Sequence, residues 1–193
     1  DSIYAMWDDL ETLLPEGAYL TVIDDDAELY RQRLNLLLKN AFIGLALVFI
    51  LLGIFLEYRL AFWVTMGIPT SFLGAMLFLP YFGVSINMVS MFAFIISLGI
   101  VVDDAIIAGE NIYENLAKGK SRMEAAIEGA RQVKIPLTFS ILTNIVAFLP
   151  LMFIEGGMGK VMMAIPAVVI LCFAISWVEA LFILPAHIAH LKD

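Results

Sequence analysis

The chain has 193 residues, of which 62% are hydrophobic and 16% are charged, and its mean hydropathy is +0.93. Soluble domains are closer to half apolar, whereas this sequence repeats apolar runs of membrane-spanning length. We therefore predict an all-α, polytopic membrane protein. The net charge of −8 comes from residues 1–28, which hold nine acidic and no basic side chains. Such a segment repels nucleic acid, and no basic stripe elsewhere indicates a nucleic-acid interface.

The sequence offers no pattern for a bound metal or cofactor. Cys172 is the only cysteine, which excludes an intrachain disulfide and a cysteine-rich metal site. Residues 155–161 resemble a phosphate-binding loop but lack its first Gly and its Ser or Thr. His187 and His190 share a helix face without the further ligands of a zinc-enzyme motif. We predict neither a cofactor nor a metal site.

Residues 1–28 are polar, and we interpret them as the tail of a water-exposed domain. Residues 19–23 are compatible with a strand. The acidic run at residues 24–26 is not a calcium loop, because Leu29 stands where that loop needs Gly; we interpret the run as the start of a helix, whose dipole favours acidic residues. Since residue 1 is Asp and no signal-peptide pattern follows, we expect the chain to be an excised segment of a longer protein.

Residues 29–193 are predicted to form a bundle of five transmembrane helices. Each apolar span is long enough for a hydrocarbon core of about 30 Å. The spans are predicted at residues 36–57, 60–80, 86–110, 135–154 and 161–186. Between the third and fourth spans, residues 113–134 are predicted to form a polar loop that contains a short surface helix, because Ser121 and Glu124 have capping-box spacing.

The distribution of Lys and Arg predicts the orientation of the bundle. Because five spans are an odd number, the two ends of the chain lie on opposite sides of the membrane. Seven basic residues fall on the side of the 113–134 loop and four on the other side. Since cytoplasmic segments carry the excess of basic residues, we expect this loop in the cytoplasm and the N-terminal segment outside.

Asp103 and Asp104 are the strongest functional signal in the sequence. They follow fifteen uncharged residues, 88–102, and the apolar sequence resumes directly after them. A carboxylate inside a bilayer costs roughly 2.5–3.5 kcal/mol on the insertion scale, so such residues usually serve a function. Adjacent residues point about 100° apart on a helix, and both therefore require a protein-lined interior or a wet cavity. Because carboxyl groups bind and release protons, we predict that the pair carries protons.

Three further observations qualify this prediction. A structural ion pair with a Lys or Arg is the competing interpretation of the two aspartates, but no basic residue lies in the middle of any span, so we expect such a cation on a helix outside this chain. Glu179 lies near the cytoplasmic end of the last span, where we favour a structural role over an extension of the relay. Asn144 lies in the middle of the fourth span and is interpreted as a residue that links helices through its amide.

Residues 99–112, GIVVDDAIIAGENI, resemble the fourth transmembrane helix of resistance-nodulation-division (RND) efflux permeases. The segments FLEYR at residues 55–59, YFGVSIN at 81–87 and LPA at 184–186 are similar to the end of the second helix, the turn into the fourth and the end of the sixth. The resemblance covers nearly the whole chain, from the end of a periplasmic porter subdomain through helices two to six. The second aspartate, Asp104, is usually replaced in the heavy-metal and Sec-associated branches, which favours the hydrophobe/amphiphile exporter branch.

The resemblance implies a proton antiporter rather than an enzyme. Its members have twelve transmembrane helices, assemble as homotrimers in the bacterial inner membrane, and join a periplasmic adaptor and an outer-membrane channel. It implies that Asp103 and Asp104 form the proton relay with a Lys of the second half, which is absent from this chain. We therefore expect the segment to be inactive alone. Glu179 departs from the pattern of the better-studied drug pumps.

Two other functions compete with proton-coupled efflux. An intramembrane aspartyl protease needs one Asp on each of two helices and typically a Gly-x-Gly-Asp signature, whereas Asp103 and Asp104 share one predicted helix and Gly99 lies four residues before Asp103. A relative that does not export, such as a sterol-sensing or secretion-assisting membrane domain, would share the helices without the transport function. A second six-helix half with an intramembrane Lys would distinguish these possibilities.

Overall fold

The structure is a computed structural model that describes residues 26–191 without a break and, before them, only residues 6, 10, 12–15 and 17–19. Apart from Tyr19, the strand predicted at residues 19–23 lies outside the described residues. The acidic run was predicted to start a helix, and the first helix begins at its last residue, Asp26; Asp24 and Asp25 lie outside the described residues. All long elements of the described region are helices.

The described region forms five segments that are long and apolar enough to cross a membrane, as the sequence predicted. The first four segments each contain one long helix: α1 (Asp26–Phe55), α2 (Tyr58–Phe78), α3 (Met88–Ala117) and α4 (Arg122–Phe148). Short 3₁₀ turns extend α2 over Leu79–Phe82 and α4 over Leu149–Phe153. The fifth segment consists of α5 (Gly156–Met162), α6 (Ala164–Val178), a π-helical turn (Glu179–Ile183) and α7 (Leu184–Ala189). The chain is therefore that of a multi-pass, all-α membrane protein.

Local side chains fix the start of α3, which carries the aspartate pair, and the start of α4, which follows the polar connection. At the start of α3, the Asn87 side chain accepts hydrogen bonds from the backbone N–H groups of Val89 at 2.9 Å and Ser90 at 3.0 Å. At the start of α4, Ser121 Oγ accepts from the backbone N–H of Glu124 at 3.3 Å. These bonds satisfy N–H groups that a helix start leaves without partners, and they confirm the predicted capping box at Ser121.

The polar segment 113–134 is not a loop, and that part of the prediction is wrong. Helix α3 continues to Ala117, only four residues connect it to α4, and α4 runs from Arg122 through Pro136 without interruption. The expected short surface helix is the first part of α4. Hydropathy locates the apolar part of a helix, whereas its ends are set by capping and by packing. Here Gly129 lets α4 lie directly on α3, since an added Cβ would be 2.8 Å from Ile112 Cα.

Helix α3 lies at the centre of the bundle. It packs against α1, α2, α4 and α6. Helix α1, by contrast, has substantial contact only with α2 and α3 among the described helices. The largest fully buried side chains include Phe94 on α3 and Phe173 on α6. In the most apolar part of each segment, 61% of residues are buried in the fifth segment and 44% in α3, compared with 17% in α1 and 11% in α4. The aspartate pair is therefore carried by the central helix.

Candidate proton-relay site

The structure separates the two aspartates of α3 by their exposure. Asp104 is only 2% exposed and points into the bundle, whereas Asp103 lies on its exposed surface. This separation follows from the helix, which turns about 100° from one residue to the next. The expectation of a protein-lined interior holds for Asp104. Within these five segments it does not hold for Asp103, which needs a further element or a wet cavity beside it.

Asp104 carries the only fully buried side-chain oxygen or nitrogen that lacks a hydrogen-bond partner among the described residues, its Oδ2 atom. The side chains along the same face are apolar and buried: Val101 is 1% exposed, Ala105 4% and Ala108 0%. Leaving a buried acceptor without a donor costs about 1–3 kcal/mol, and more if the group is charged. A buried polar atom without a partner therefore calls for an explanation, such as a functional role or a partner that the described residues do not supply.

Small residues bring a neighbouring helix close to the aspartate pair. Gly109 lies about one and a half turns after Asp104, and a Cβ added there would be 2.5 Å from Val64 Cγ2 on α2. Ser97, on the preceding part of α3, is fully buried and donates its hydroxyl to the carbonyl oxygen of Ala93 at 2.9 Å. The close approach of α2 keeps lipid away from the face of α3 that carries Asp104.

Glu179 is a second buried acid in the same bundle. It is 5% exposed, and its carboxyl group lies against the backbone of Gly67 on α2, where an added Cβ would be 2.6 Å from Glu179 Cδ. The sequence favours a structural role for Glu179 near the cytoplasmic end. The structure places its side chain between helices, and α3 contacts the π-helical turn that begins with Glu179.

The π-helical turn has a signal in the sequence that the prediction of five regular spans did not use. The backbone N–H of Leu184 donates to the carbonyl oxygen of Glu179, five residues earlier. Pro185 follows directly, and in a regular α-helix its ring would clash with the carbonyl group of the residue four positions earlier, Leu181. A wider turn removes this clash. Because π-helical turns often occur at functional sites, the Leu-Pro pair could have drawn attention to Glu179.

The remaining candidates lie outside α3, the helix that carries the aspartate pair. Asn144 is half-buried on α4. His187 and His190 are exposed, and the His187 ring packs edge-on against Trp63 with 4.1 Å between the ring centroids. One bond between helices was not predicted, in which Trp177 Nε1 donates to Thr138 Oγ1 at 2.8 Å. A Trp and a Thr without a common motif gave no signal for that pairing.

Comparison with known proteins decides the family. The family model described as the AcrB/AcrD/AcrF family matches residues 1–192. The chain belongs to this family. The AcrB/AcrD/AcrF assignment confirms the resemblance to RND efflux permeases.

Several curated efflux pumps are similar to this AcrB/AcrD/AcrF chain. The toluene efflux pump membrane transporter TtgE of Pseudomonas putida is 29% identical over 90% of the chain and 17% of its own length. The solvent-resistant pump membrane transporter SrpB of Pseudomonas putida is 26% identical over 96% of the chain and 18% of its length. The multidrug resistance protein MdtC of Yersinia enterocolitica is 30% identical over 99% of the chain and 19% of its length. The chain thus spans less than a fifth of these relatives.

Proposed function

We propose that this chain is the proton-carrying part of an exporter that drives hydrophobic or amphiphilic compounds out of the cell by proton antiport. The observation that carries the proposal is the buried, unpartnered Oδ2 atom of Asp104 directly beside the exposed Asp103. Family membership supports efflux in general, and the names of TtgE, SrpB and MdtC, which refer to toluene, solvents and multidrug resistance, support apolar substrates.

The arrangement suits a stepwise transfer of protons. Asp103 can exchange a proton with whatever lies beside the outer surface of α3, and Asp104 can hold one inside the bundle. Because protonation removes the charge of a buried group, it changes which packing of the neighbouring helices is most stable. A proton that binds one packing better than another shifts the population between them. This shift is the event that we propose to be coupled to export.

The complete transporter requires elements outside this chain. We propose that the exposed Asp103 surface meets another helix bundle, which supplies the cationic partner expected from the RND resemblance. On the same basis, we propose that the pump is a homotrimer in the bacterial inner membrane and works with a periplasmic adaptor and an outer-membrane channel. Residues 1–28 would then belong to a periplasmic porter subdomain. Since the chain spans less than a fifth of its relatives, we expect no transport by this segment alone.

The competing functions lack a specific supporting observation. An aspartyl protease would need its two catalytic acids on two helices, whereas Asp103 and Asp104 both lie on α3. Glu179 lies on a different segment from the aspartates, but its carboxyl group packs against the backbone of Gly67. A sterol-sensing or secretion-assisting role would give no reason for a buried carboxyl oxygen without a partner.

Replacing either aspartate in the full-length pump that carries this chain tests the proposal. Asp103→Asn and Asp104→Asn keep the size and hydrogen-bonding capacity of the protonated acid but cannot release a proton. We expect each variant to lose export of a fluorescent amphiphile while its membrane level and trimer content stay normal. Glu110→Gln, which replaces an exposed acid of the same helix, is the matched control and should export normally.

The outcome separates proton transfer from a structural ion pair. If the aspartates only neutralise a cation, removal of one of them strands that cation and destabilises the protein by roughly 3–5 kcal/mol. Loss of folded protein together with loss of export would then be observed. Normal export by both Asn variants would refute the relay. Assembly and level are measured in the same cells by chemical crosslinking and immunoblotting.

The proposed orientation has a separate test. Lys118 lies in the connection between α3 and α4, and Met158 is 68% exposed in α5. We expect Lys118→Cys to react with a membrane-impermeant maleimide only in inside-out vesicles and Met158→Cys only in intact spheroplasts. The native Cys172 is fully buried and gives a low background. Reaction of both cysteines from the same side would contradict the orientation.

A further inference from the structure

The buried Glu179 is not used by the proton relay proposed above, and its surroundings are unusual for a structural side chain. Within a membrane-spanning segment, an acidic side chain is rare and generally marks a functional position. Glu179 is 5% exposed, and its neighbours Ala180 and Leu181 are 1% and 9% exposed. The carboxyl group is therefore held inside the bundle and does not reach the interface at the membrane surface.

Gly67 provides the space that the Glu179 carboxyl group occupies. A Cβ atom added to Gly67 would be 2.6 Å from Glu179 Cδ and 2.8 Å from Glu179 Oε1, distances that real Cβ atoms do not adopt without a shift. Any residue other than Gly at position 67 would therefore displace the carboxyl group. Glu179 is also the first residue of the π-helical turn Glu179–Ile183, and such turns often occur at functional sites.

The helix contacts place Glu179 near the level of the aspartate pair. Gly109 of α3 packs against Val64 of α2, and Gly67 lies three residues further along α2, which corresponds to about 4.5 Å along the helix axis. Helices α2 and α3 run antiparallel because a short connection joins them. The position on α3 level with Gly67 is therefore about three residues before Gly109. This position lies within one helical turn of Asp104.

The elements packed against the π-helical turn contribute few other titratable groups. These elements are α2, α3, α4 and the adjoining parts of the fifth segment. Within the described residues, α3 carries the aspartates at this level, α2 has Tyr58 and Arg59 only in its first turn, and α4 has its charged residues before Pro136. In the fifth segment, Cys172 and His187 lie about two turns before and after Glu179.

We propose that Glu179 is a second proton-binding carboxyl group of the transport cycle, and that Gly67 and the π-helical turn form the site that holds this carboxyl group. This inference rests on the proton-coupled function proposed above and extends it. The aspartates bind a proton on α3, and Glu179 binds another on the fifth segment, at the same depth and across the same helix interface. Protonation of the two sites together sets how closely α2, α3 and the fifth segment pack.

Infrared difference spectra of the purified full-length pump test the inference directly. Spectra are recorded in phosphatidylethanolamine and phosphatidylglycerol vesicles at acid and alkaline pH, and the carbonyl band of protonated carboxyl groups is compared between variants. We expect Glu179→Gln to lose one component of this band and Glu179→Asp to shift it. Glu110→Gln, the exposed control, should leave the component unchanged. A band identical to that of the native protein in Glu179→Gln or Glu179→Asp overturns the inference.

Export measurements add a readout that a structural role would not change. We expect Glu179→Gln to alter the dependence of export on external pH, and Glu179→Asp to retain export with a displaced pH profile. Gly67→Ala should impair export because its Cβ displaces the carboxyl group, and the double variant Gly67→Ala/Glu179→Asp should recover it, since Asp is one methylene shorter. Impaired export in Gly67→Ala without recovery in the double variant contradicts the proposal that Gly67 makes room for the Glu179 carboxyl group.

The two proposals fail in different ways. If Asp103→Asn and Asp104→Asn abolish export while Glu179→Gln keeps both the native carbonyl band and the native pH profile, only the inference on Glu179 is wrong. If both aspartate variants export normally, the relay of α3 is wrong, and the infrared component still decides whether Glu179 binds a proton.

Discussion

The most apolar stretches of helices α1 and α3 have almost the same mean hydropathy, and both helices are 30 residues long, yet the two helices occupy different environments. In α3, 44% of the most apolar stretch is buried in the bundle, compared with 17% in α1. Helix α1 exposes large apolar side chains such as Phe42 at 70%, Leu47 at 65% and Ile54 at 71%. Hydropathy therefore identifies both as membrane helices but does not tell which one is central.

Small and polar residues account for the difference between the two helices. Lipid tails are as apolar as Leu, so a hydrophobic side chain gains little by leaving lipid for another helix. Packing and interhelical contact decide instead. Helix α3 offers Ser97, Ala105, Ala108 and Gly109 as close-packing positions, all buried, together with the buried Asp104. Helix α3 thus differs from α1 in small and polar residues that would be poorly suited to face lipid.

The largest expected effect is the loss of a central aromatic side chain. Phe94 of α3 is fully buried and packs against Phe72, with 5.5 Å between the ring centroids. We expect Phe94→Ala to leave a cavity and to destabilise the protein by up to about 3–5 kcal/mol. Phe42→Ala on α1 is the matched control, because lipid fills the space that its exposed ring leaves, and it should stay within about 0.5 kcal/mol of the native protein. Unfolding in mixed detergent micelles measures both.

Equal destabilisation by Phe94→Ala and Phe42→Ala would contradict the comparison between the helices. It would show that α1 is covered by protein in the full-length molecule. The same measurement on the isolated chain and on the complete pump then distinguishes a surface that faces lipid from one that faces another part of the protein.

A smaller effect is expected from adding one methyl group to a glycine in each helix. In Gly109→Ala the new Cβ would meet Val64 Cγ2 at 2.5 Å, and the β-branched Val cannot easily rotate away in a helix. We expect a loss of stability of about 1–3 kcal/mol from overpacking. In Gly53→Ala no described atom outside the helix backbone lies within 4 Å of the new Cβ, and the better helix propensity of Ala should stabilise α1 by up to about 1 kcal/mol.

We expect the two glycine variants to change stability in opposite directions, and thermal unfolding of both in one detergent measures the change. A destabilising Gly53→Ala would indicate that another helix packs on α1 in the full-length molecule. A neutral Gly109→Ala would mean that α2 can move away from α3, and the close packing beside Asp104 would then not be rigid.

Much of the fold could be predicted because the features that carry it are local. Five apolar spans identify five membrane helices, and the spacing of Ser121 and Glu124 marks the start of α4. The ends of the helices were less predictable. The polar residues 113–134 were assigned to a loop because hydropathy falls there, whereas capping and the contact of Gly129 with Ile112 extend the helices through them.

The candidate site was predictable to the same extent. Asp103 and Asp104 were recognisable from the cost of placing two acids in an apolar span. The sequence predicted that the two side chains point in different directions. It did not predict which of them is exposed, because it does not tell which side of α3 faces its neighbours. Glu179 was recognisable as an unusual acid, but its packing against Gly67 depends on two residues that lie more than a hundred positions apart.

The sequence by itself determined the class of the protein, its membrane spans, its family resemblance and the acids that function would have to explain. These properties depend on composition, on periodicity and on the cost of charge in lipid, which act on each segment separately. Only the tertiary structure decided that α3 is central, that Asp104 is buried while Asp103 is exposed, and that Glu179 lies against Gly67. These properties depend on which helix faces meet, and in lipid that choice is made by close packing between distant residues rather than by hydropathy.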